Sequence, residues 1–97
     1  VDKIAPIHPG EVLLEDFIRP LGVTQHRVAV DINVPPRRIN EIVHGHRRVT
    51  ADTALRLGRY FGTTAQFWIN LQTRHDLEVE SDALGPILDS IQPLRSA

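Results

Sequence analysis

Residues 24–45 read Thr24-Gln25-His26-Arg27-Val28-Ala29-Val30-Asp31-Ile32-Asn33-Val34-Pro35-Pro36-Arg37-Arg38-Ile39-Asn40-Glu41-Ile42-Val43-His44-Gly45, and this stretch decides the fold. It holds two helical patterns. In the first, Thr24 offers a hydroxyl to the free amides of an opening turn, and Val28, Ala29 and Ile32 share a face. In the second, Pro35-Pro36 suits a helix start, where a missing amide N–H would be unpaired anyway. Ile39, Ile42 and Val43 then fall on one side, and Gly45 stands where a left-handed C-terminal residue is wanted. Between the patterns, Asn33 tolerates positive φ second only to glycine. Ala29 is small where two helices must touch, and Val34 supplies a buried apolar residue just after the turn. Thr24–Asp31 and Pro35–His44 are therefore expected to form a helix-turn-helix.

Working outward, a first helix is expected from Pro9, with Val12, Leu13, Phe17 and Ile18 as its apolar stripe and Pro20 and Gly22 as its stop. His8, just before it, reads as a cap or surface residue. A fourth helix starts at Thr50 with Asp52 in its first turn, carries Ala54, Leu57, Gly58 and Phe61, and ends at Gly62. A fifth opens with Thr63-Thr64-Ala65-Gln66, read as a capping box whose glutamine reaches back, with Phe67, Trp68, Leu71 and His75 on one side. In the tail, Leu84, Ile87, Leu88 and Ile91 recur at helical spacing, with Gly85-Pro86 near the start and Pro93 at the stop. That stripe suits folding back on its own domain, a dimer contact or a partner-binding helix. Strand-like alternation is rare. The expectation is an all-α domain of five to six helices. The helix-turn-helix DNA-binding domain is placed at 1–80, and 81–97 form a short C-terminal tail with at most one amphipathic helix.

The chain has 97 residues, enough for one core, with 41% hydrophobic and 24% charged content. It has no cysteine, so disulfides, thiolate metal sites and a cysteine nucleophile are excluded. No apolar run approaches the length of a membrane span, and the first residues lack a signal-peptide layout. These points fit a bacterial cytoplasmic protein with no membrane partner. Net charge is only −1, but it is unevenly spread. Residues 24–60 hold seven arginines against Asp31, Glu41 and Asp52, a balance of +4. Residues 1–23 balance at −2 and residues 61–97 at −3. A basic middle between acidic ends suits a surface that meets a polyanion.

On a helical wheel, Arg37, Glu41 and His44 point away from Ile39, Ile42 and Val43, with Arg38 and Asn40 flanking them. These residue types match base edges in the major groove. Arginine pairs with guanine, asparagine with adenine, and glutamate accepts from cytosine. Arg47 and Arg48 follow in a loop suited to phosphates, and Gln25 opens the preceding helix at a usual phosphate-contact position. Pro35-Pro36 removes amides that a phosphate would otherwise meet. The candidate DNA-binding set is Gln25, Pro36, Arg37, Arg38, Asn40, Glu41, Arg47 and Arg48. A metal site is not expected: His44 and His46 are separated by the C-cap glycine, and zinc needs three or four converging ligands. Catalysis is not expected either. Serines occur only at 81, 90 and 96, and Glu15-Asp16 diverge on adjacent helical positions. Tyr60, Phe61, Phe67 and Trp68 fit a core better than a base-stacking platform. No cofactor is expected.

His8-Pro9-Gly10-Glu11, Leu14, Thr24-Gln25, Ala29, Val34-Pro35, Ile39, Gly45, Arg47, Thr50-Ala51-Asp52-Thr53-Ala54-Leu55-Arg56-Leu57, Phe61-Gly62-Thr63, Phe67-Trp68, Asn70-Leu71-Gln72 and Asp76-Leu77 together resemble the HigA antitoxins of the Xre helix-turn-helix group. The resemblance covers residues 8–80. It implies a lambda-repressor-like helix-turn-helix, five core helices and a homodimer. It further implies repression of the protein's own operon through double-stranded operator DNA, and neutralisation of a HigB-type toxin, an mRNA endonuclease, by direct binding. By position, Gln25 is similar to a phosphate-contacting glutamine, and Pro36, Arg37, Arg38, Asn40 and Glu41 fall on recognition-helix positions. The chain departs from the wider Xre pattern at Asn33, where glycine is usual, and at Pro35-Pro36, where serine or threonine often begins the helix. The alternative function is a stand-alone Xre-type repressor without a toxin.

Overall fold

Caps and stops divide most of the chain as the punctuation predicts, but Pro20, expected to stop the first helix, lies inside it, and Gly22 ends it. A computed structural model describes residues 5–94. Among these, five helices and no strand are present. Helix α1 begins at Pro9–Val12, continues as a π-helical stretch at Leu13–Ile18, and closes with an α-turn at Arg19–Leu21. Then come α2 (Gln25–Ile32), α3 (Pro36–Val43), α4 (Ala51–Phe61) and α5 (Ala65–Ser90). The π stretch has a local cause. Pro20 has no N–H and its ring crowds the carbonyl four residues back. The wider register relieves this, and Arg19 N–H reaches Leu14 O instead.

Side chains cap four of the five helix starts. His8 Nδ1 accepts from Gly10 N–H at 2.9 Å. Thr24, Thr50 and Thr64 hydroxyls accept from the amides of Arg27, Thr53 and Phe67 at 3.0, 3.4 and 3.1 Å. Only α3 starts without a side-chain cap, because Pro35 occupies that position. Each such cap contributes about 1 kcal/mol.

The core joins all five helices. Leu13, Val28, Ala29, Ile39, Ile42, Ala54, Leu57 and Trp68 are fully buried, and Val49 from the α3–α4 connection sits with them. Trp68 keeps its polar edge satisfied, its Nε1–H donating to Thr63 Oγ1 at 2.8 Å. Two glycines permit close backbone approaches. A Cβ on Gly10 would overlap the Ile42 carbonyl and lie 2.9 Å from Val43 Cα, so α1 packs directly onto the end of α3. A Cβ on Gly58 would lie 3.0 Å from Ala65 N, which sets how tightly α4 turns into α5.

Three further expectations need correction. The fifth helix starts after Thr64, not Thr63. Thr63 serves Trp68, and Gln66 does not reach back but donates to Asn70 Oδ1 at 2.8 Å. The tail is not a separate helix beginning near Gly85-Pro86. Helix α5 runs unbroken to Ser90 with Pro86 inside it. A proline ring normally clashes with the Cβ of the residue before it, and here that residue is Gly85. The tail stripe also does not fold back. Leu84 is half-buried, whereas Ile87, Leu88 and Ile91 are exposed, and the molecule is elongated at 52 × 29 × 21 Å. Of the four aromatic residues assigned to the core, Trp68 is buried, Tyr60 and Phe61 are half-buried, and Phe67 is 36% exposed against Phe17.

Candidate nucleic-acid interface

Asn33 makes the turn between α2 and α3 with φ 63° and ψ 49°, the one non-glycine residue at positive φ among those described. Arg56 of α4 fastens this turn, its Nη1 donating to Ile32 O at 2.9 Å and to Asn33 O at 3.3 Å. Ile39 and Ile42 anchor α3 in the core, which fixes its rotation and turns the opposite face to solvent. Arg37, Asn40 and His44 are exposed there, and Arg38 and Glu41 are half-buried. Pro36 is the first residue of α3. It has no N–H to offer, and the next amides are Arg37 N–H and Arg38 N–H, the latter spent on Pro35 O at 2.9 Å.

The predicted set assembles on one side. Gln25 opens α2, and its Oε1 accepts from Asn40 Nδ2 at 3.3 Å, so the helix-start glutamine and the recognition-helix asparagine form one unit. Glu41 joins two further members. Its Oε2 accepts from Arg37 Nε at 3.0 Å and its Oε1 from Arg47 Nε at 2.9 Å. Arg38 leans the other way, to Asp52 at 3.3 Å, and Asp52 also holds Arg56 at 2.7 Å. Arg48 pairs with Asp76 of α5 at 2.9 Å. Hydrogen bonds from Arg47 and then Arg37 hold the Glu41 carboxyl below the usual carboxylate range. Arg56 does the same for Asp52. The basic middle is visible in the sequence, but this pairing is not. Exposed ion pairs contribute little to stability, so their effect here is on the direction of the arginines.

Sequence reasoning from the residues missed Gln72. It is buried on α5, one turn beyond Trp68. Its Oε1 accepts from Val49 N–H at 2.7 Å, and its Nε2 donates to Asp76 Oδ1 at 2.9 Å. The Arg47-Arg48 loop is thereby tied to α5 rather than left free. The available signal was its spacing of four from Trp68, which puts it on the buried stripe. Burial works against the Asp76 charge, but hydrogen bonds from Gln72 and His75 and the Arg48 charge outweigh it, and the carboxyl stays below its usual range. His8, the cap of α1, meets the His75 ring edge-on at 5.0 Å. His44 and His46 stack at 6.3 Å. Among the described residues no three His, Asp or Glu side chains converge as metal ligands, and no helix is long and apolar enough to cross a membrane.

Residues 14–68 match the family described as Helix-turn-helix. Virulence-associated protein I of Dichelobacter nodosus is 51% identical over 78 residues, spanning 80% of this chain and 72% of that protein. The solved structure of Pseudomonas aeruginosa antitoxin HigA with the higBA promoter superposes with a TM-score of 0.88 at 41% identity, covering 93% of this chain and 99% of that one. The chain belongs to the HigA family of helix-turn-helix proteins. An addiction module antidote protein of the HigA family from Coxiella burnetii gives a TM-score of 0.86 at 38% identity, over 93% of this chain and 99% of that one. The likeness to these HigA proteins therefore includes the long α5 as well as the helix-turn-helix. The two departures from the wider pattern are both accommodated: Asn33 takes the left-handed conformation, and Pro36 starts α3 with φ of Pro35 at −61°.

Proposed function

We propose that this HigA-family protein is the antitoxin of a type II toxin–antitoxin pair. In this reading it is a homodimeric, sequence-specific repressor of its own operon that also neutralises a HigB-type mRNA endonuclease by direct binding. The observation that carries the reading is the near whole-chain likeness to an antitoxin HigA solved with its promoter, coupled with an arginine-rich, solvent-facing α3. Residues 1–80 carry DNA binding and 81–97 form the tail. Arg37 and Asn40 read base edges, with Gln25 and Asn40 acting as a pair. Arg38, Arg47 and Arg48 meet the backbone, Pro36 sets the start of the reading helix, and Glu41 belongs to the same face. Two copies address half-sites about 34 Å apart, one helical turn of DNA. The work is done in the bacterial cytoplasm, at the nucleoid when DNA is bound, and by binding rather than catalysis.

Co-expression with the reading frame adjacent in the same operon tests this. The neighbour expressed alone should arrest growth, and this protein should rescue growth and co-purify with it. A harmless or non-binding neighbour would leave a stand-alone repressor as the better description.

A further inference from the structure

The Glu41 carboxylate stands between Arg37 of α3 and Arg47 of the following loop. Both contacts are made through Nε–H. An arginine has five donors in a rigid fork, and the edge formed by Nη1 and Nη2 is the one that meets guanine or a phosphate head-on. Gripping a guanidinium by Nε leaves that edge free and fixes its direction. Glu41 is the less exposed partner, with 24% of its side chain accessible against 83% for Arg37 and 46% for Arg47. The carboxylate thus lies at the foot of the face, and the arginines extend beyond it. Loop and helix are also held together behind it, since His46 N–H donates to Glu41 O at 2.8 Å. Each carboxylate oxygen has two lone-pair sites, and on each Glu41 oxygen one of them is taken by an arginine Nε–H, which turns the carboxylate toward its own arginines.

We infer that Glu41 is a positioning residue for DNA recognition: it holds Arg37 and Arg47 by Nε so that their terminal forks point outward in a fixed register, and it does not itself read a base. The inference rests on the DNA-binding reading above. Its energetic logic is preorganisation. Two long side chains would otherwise lose rotamer freedom on binding, and the clamp removes part of that loss beforehand. An accessible glutamate is ionised at neutral pH, and both arginine contacts are made without DNA, so the clamp is present in the free protein. Removing a carboxylate from a DNA-facing surface ordinarily strengthens binding to any duplex, because it removes repulsion from phosphates. A clamp gives the opposite sign on the preferred sequence.

The test uses a duplex enriched by the wild-type protein from a randomised pool, and a scrambled duplex of the same composition. Glu41→Ala should weaken binding to the enriched duplex by roughly tenfold, and by clearly less on the scrambled duplex, where the lost alignment of Arg47 and the lost repulsion from phosphates oppose one another. In an Arg37→Ala, Arg47→Ala background, Glu41→Ala should no longer weaken the enriched duplex. A melting curve confirms that the variants fold, as expected for an accessible side chain. Without DNA, the Nε–H resonances of Arg37 and Arg47 should be protected from exchange in the wild type and lose that protection in Glu41→Ala. Tighter binding of Glu41→Ala to both duplexes would make Glu41 a plain counter-charge and overturn the inference. So would a loss of preference at a single base pair that persists in the double-arginine background, which is the signature of a base acceptor. Unchanged Nε–H protection would show that no clamp exists. Enrichment of no sequence by the wild type would overturn the DNA reading itself, whatever the resonances show.

Discussion

The helix-turn-helix at residues 24–49 and the C-terminal stretch at residues 77–94, the far half of α5 and the residues after it, are built on opposite terms. In the first, every apolar side chain that fixes geometry is buried, and the arginines outside are paired with carboxylates on neighbouring turns or helices. In the second, Leu77, Val79, Ile87, Leu88, Ile91 and Leu94 are exposed. The difference shows where positional information resides. Ile39 and Ile42 fix the rotation of α3, Gly10 fixes how closely α1 meets it, and Gln72 fixes the loop beyond it. The far end of α5 is helical mainly for local reasons, since its stripe has no core to enter. A substitution of the same chemical kind should therefore have large effects in one region and small effects in the other.

The largest contrast is expected at glycine. Gly10→Ala places a methyl group into the Ile42 carbonyl, a backbone atom that cannot swing aside. Destabilisation of about 3 kcal/mol or more is expected, read as a fall in thermal midpoint, together with loss of DNA binding because α3 must shift. A near-normal midpoint would mean that α1 docks on α3 less tightly than described. Next comes Gln72→Ala, which leaves the buried Val49 N–H without its acceptor. About 1–3 kcal/mol should be lost, measurable by denaturant titration.

On the DNA-facing side, Arg37→Ala should relax sequence preference at one base pair, by on the order of 1–3 kcal/mol. Arg47→Ala and Arg48→Ala should instead weaken all sequences and reduce the salt slope of binding by about one unit each. If Arg37→Ala weakened matched and scrambled duplexes equally, its assignment to base reading would fail. A smaller effect is expected from acid. Burial first, and then the neighbouring His75 charge, push His8 below its ordinary value of 6.5, with Asp76 and Glu11 opposing. As pH falls through about 6.5, the unfolded chain takes up this proton before the folded one does. The His8 contribution is therefore present at neutral pH and lost as pH drops through 6.5 toward the lower folded value. Protonated Nδ1 can no longer accept from Gly10 N–H. His8→Asn keeps a cap acceptor that does not titrate, so thermal melts between about pH 7.5 and 5.5 should show a flatter decline in that variant.

The sequence was legible where local chemistry and burial agree. Thr24, Asn33, Gly45 and Gly62 mark ends by capping or left-handed geometry, and Ile39 and Ile42 mark a face by period. The DNA-facing set was legible as a list of positions but not as an arrangement. The Asn40–Gln25 contact spans 15 residues and the Arg48–Asp76 pair 28, and no period encodes such partners. The spacing of Gln72 from Trp68 marks it as buried, but the loop amide it serves lies 23 residues away in sequence. The tail is not legible because Gly85-Pro86 is ordinary punctuation, yet α5 runs through it. At Gly85 there is no Cβ to meet the Pro86 ring, so one of the proline's steric objections to a helix is absent there.

Gly85 supplies the smallest and most discriminating test of the contrast between the two regions. A Cβ on Gly85 would meet nothing within 4 Å, so there is no packing penalty of the kind seen at Gly10. Alanine exceeds glycine in helix propensity by about 1 kcal/mol at an interior position. Against this stands the methyl's clash with the Pro86 ring, which disfavours helical geometry at the residue before a proline. The two terms separate by double substitution. Gly85→Ala alone should change stability by less than about 1 kcal/mol, because its gain and its clash oppose one another. Pro86→Ala alone restores the missing N–H and removes the ring, a gain of about 3 kcal/mol in helix propensity, and adding Gly85→Ala to it should raise helicity further in circular dichroism by the alanine gain without the clash. None of these variants should alter DNA affinity, since α3 is held from the other end of the molecule. A large loss of stability from Gly85→Ala would show that the far end of α5 is held by contacts comparable to those around α3, and the distinction between the two regions would no longer stand.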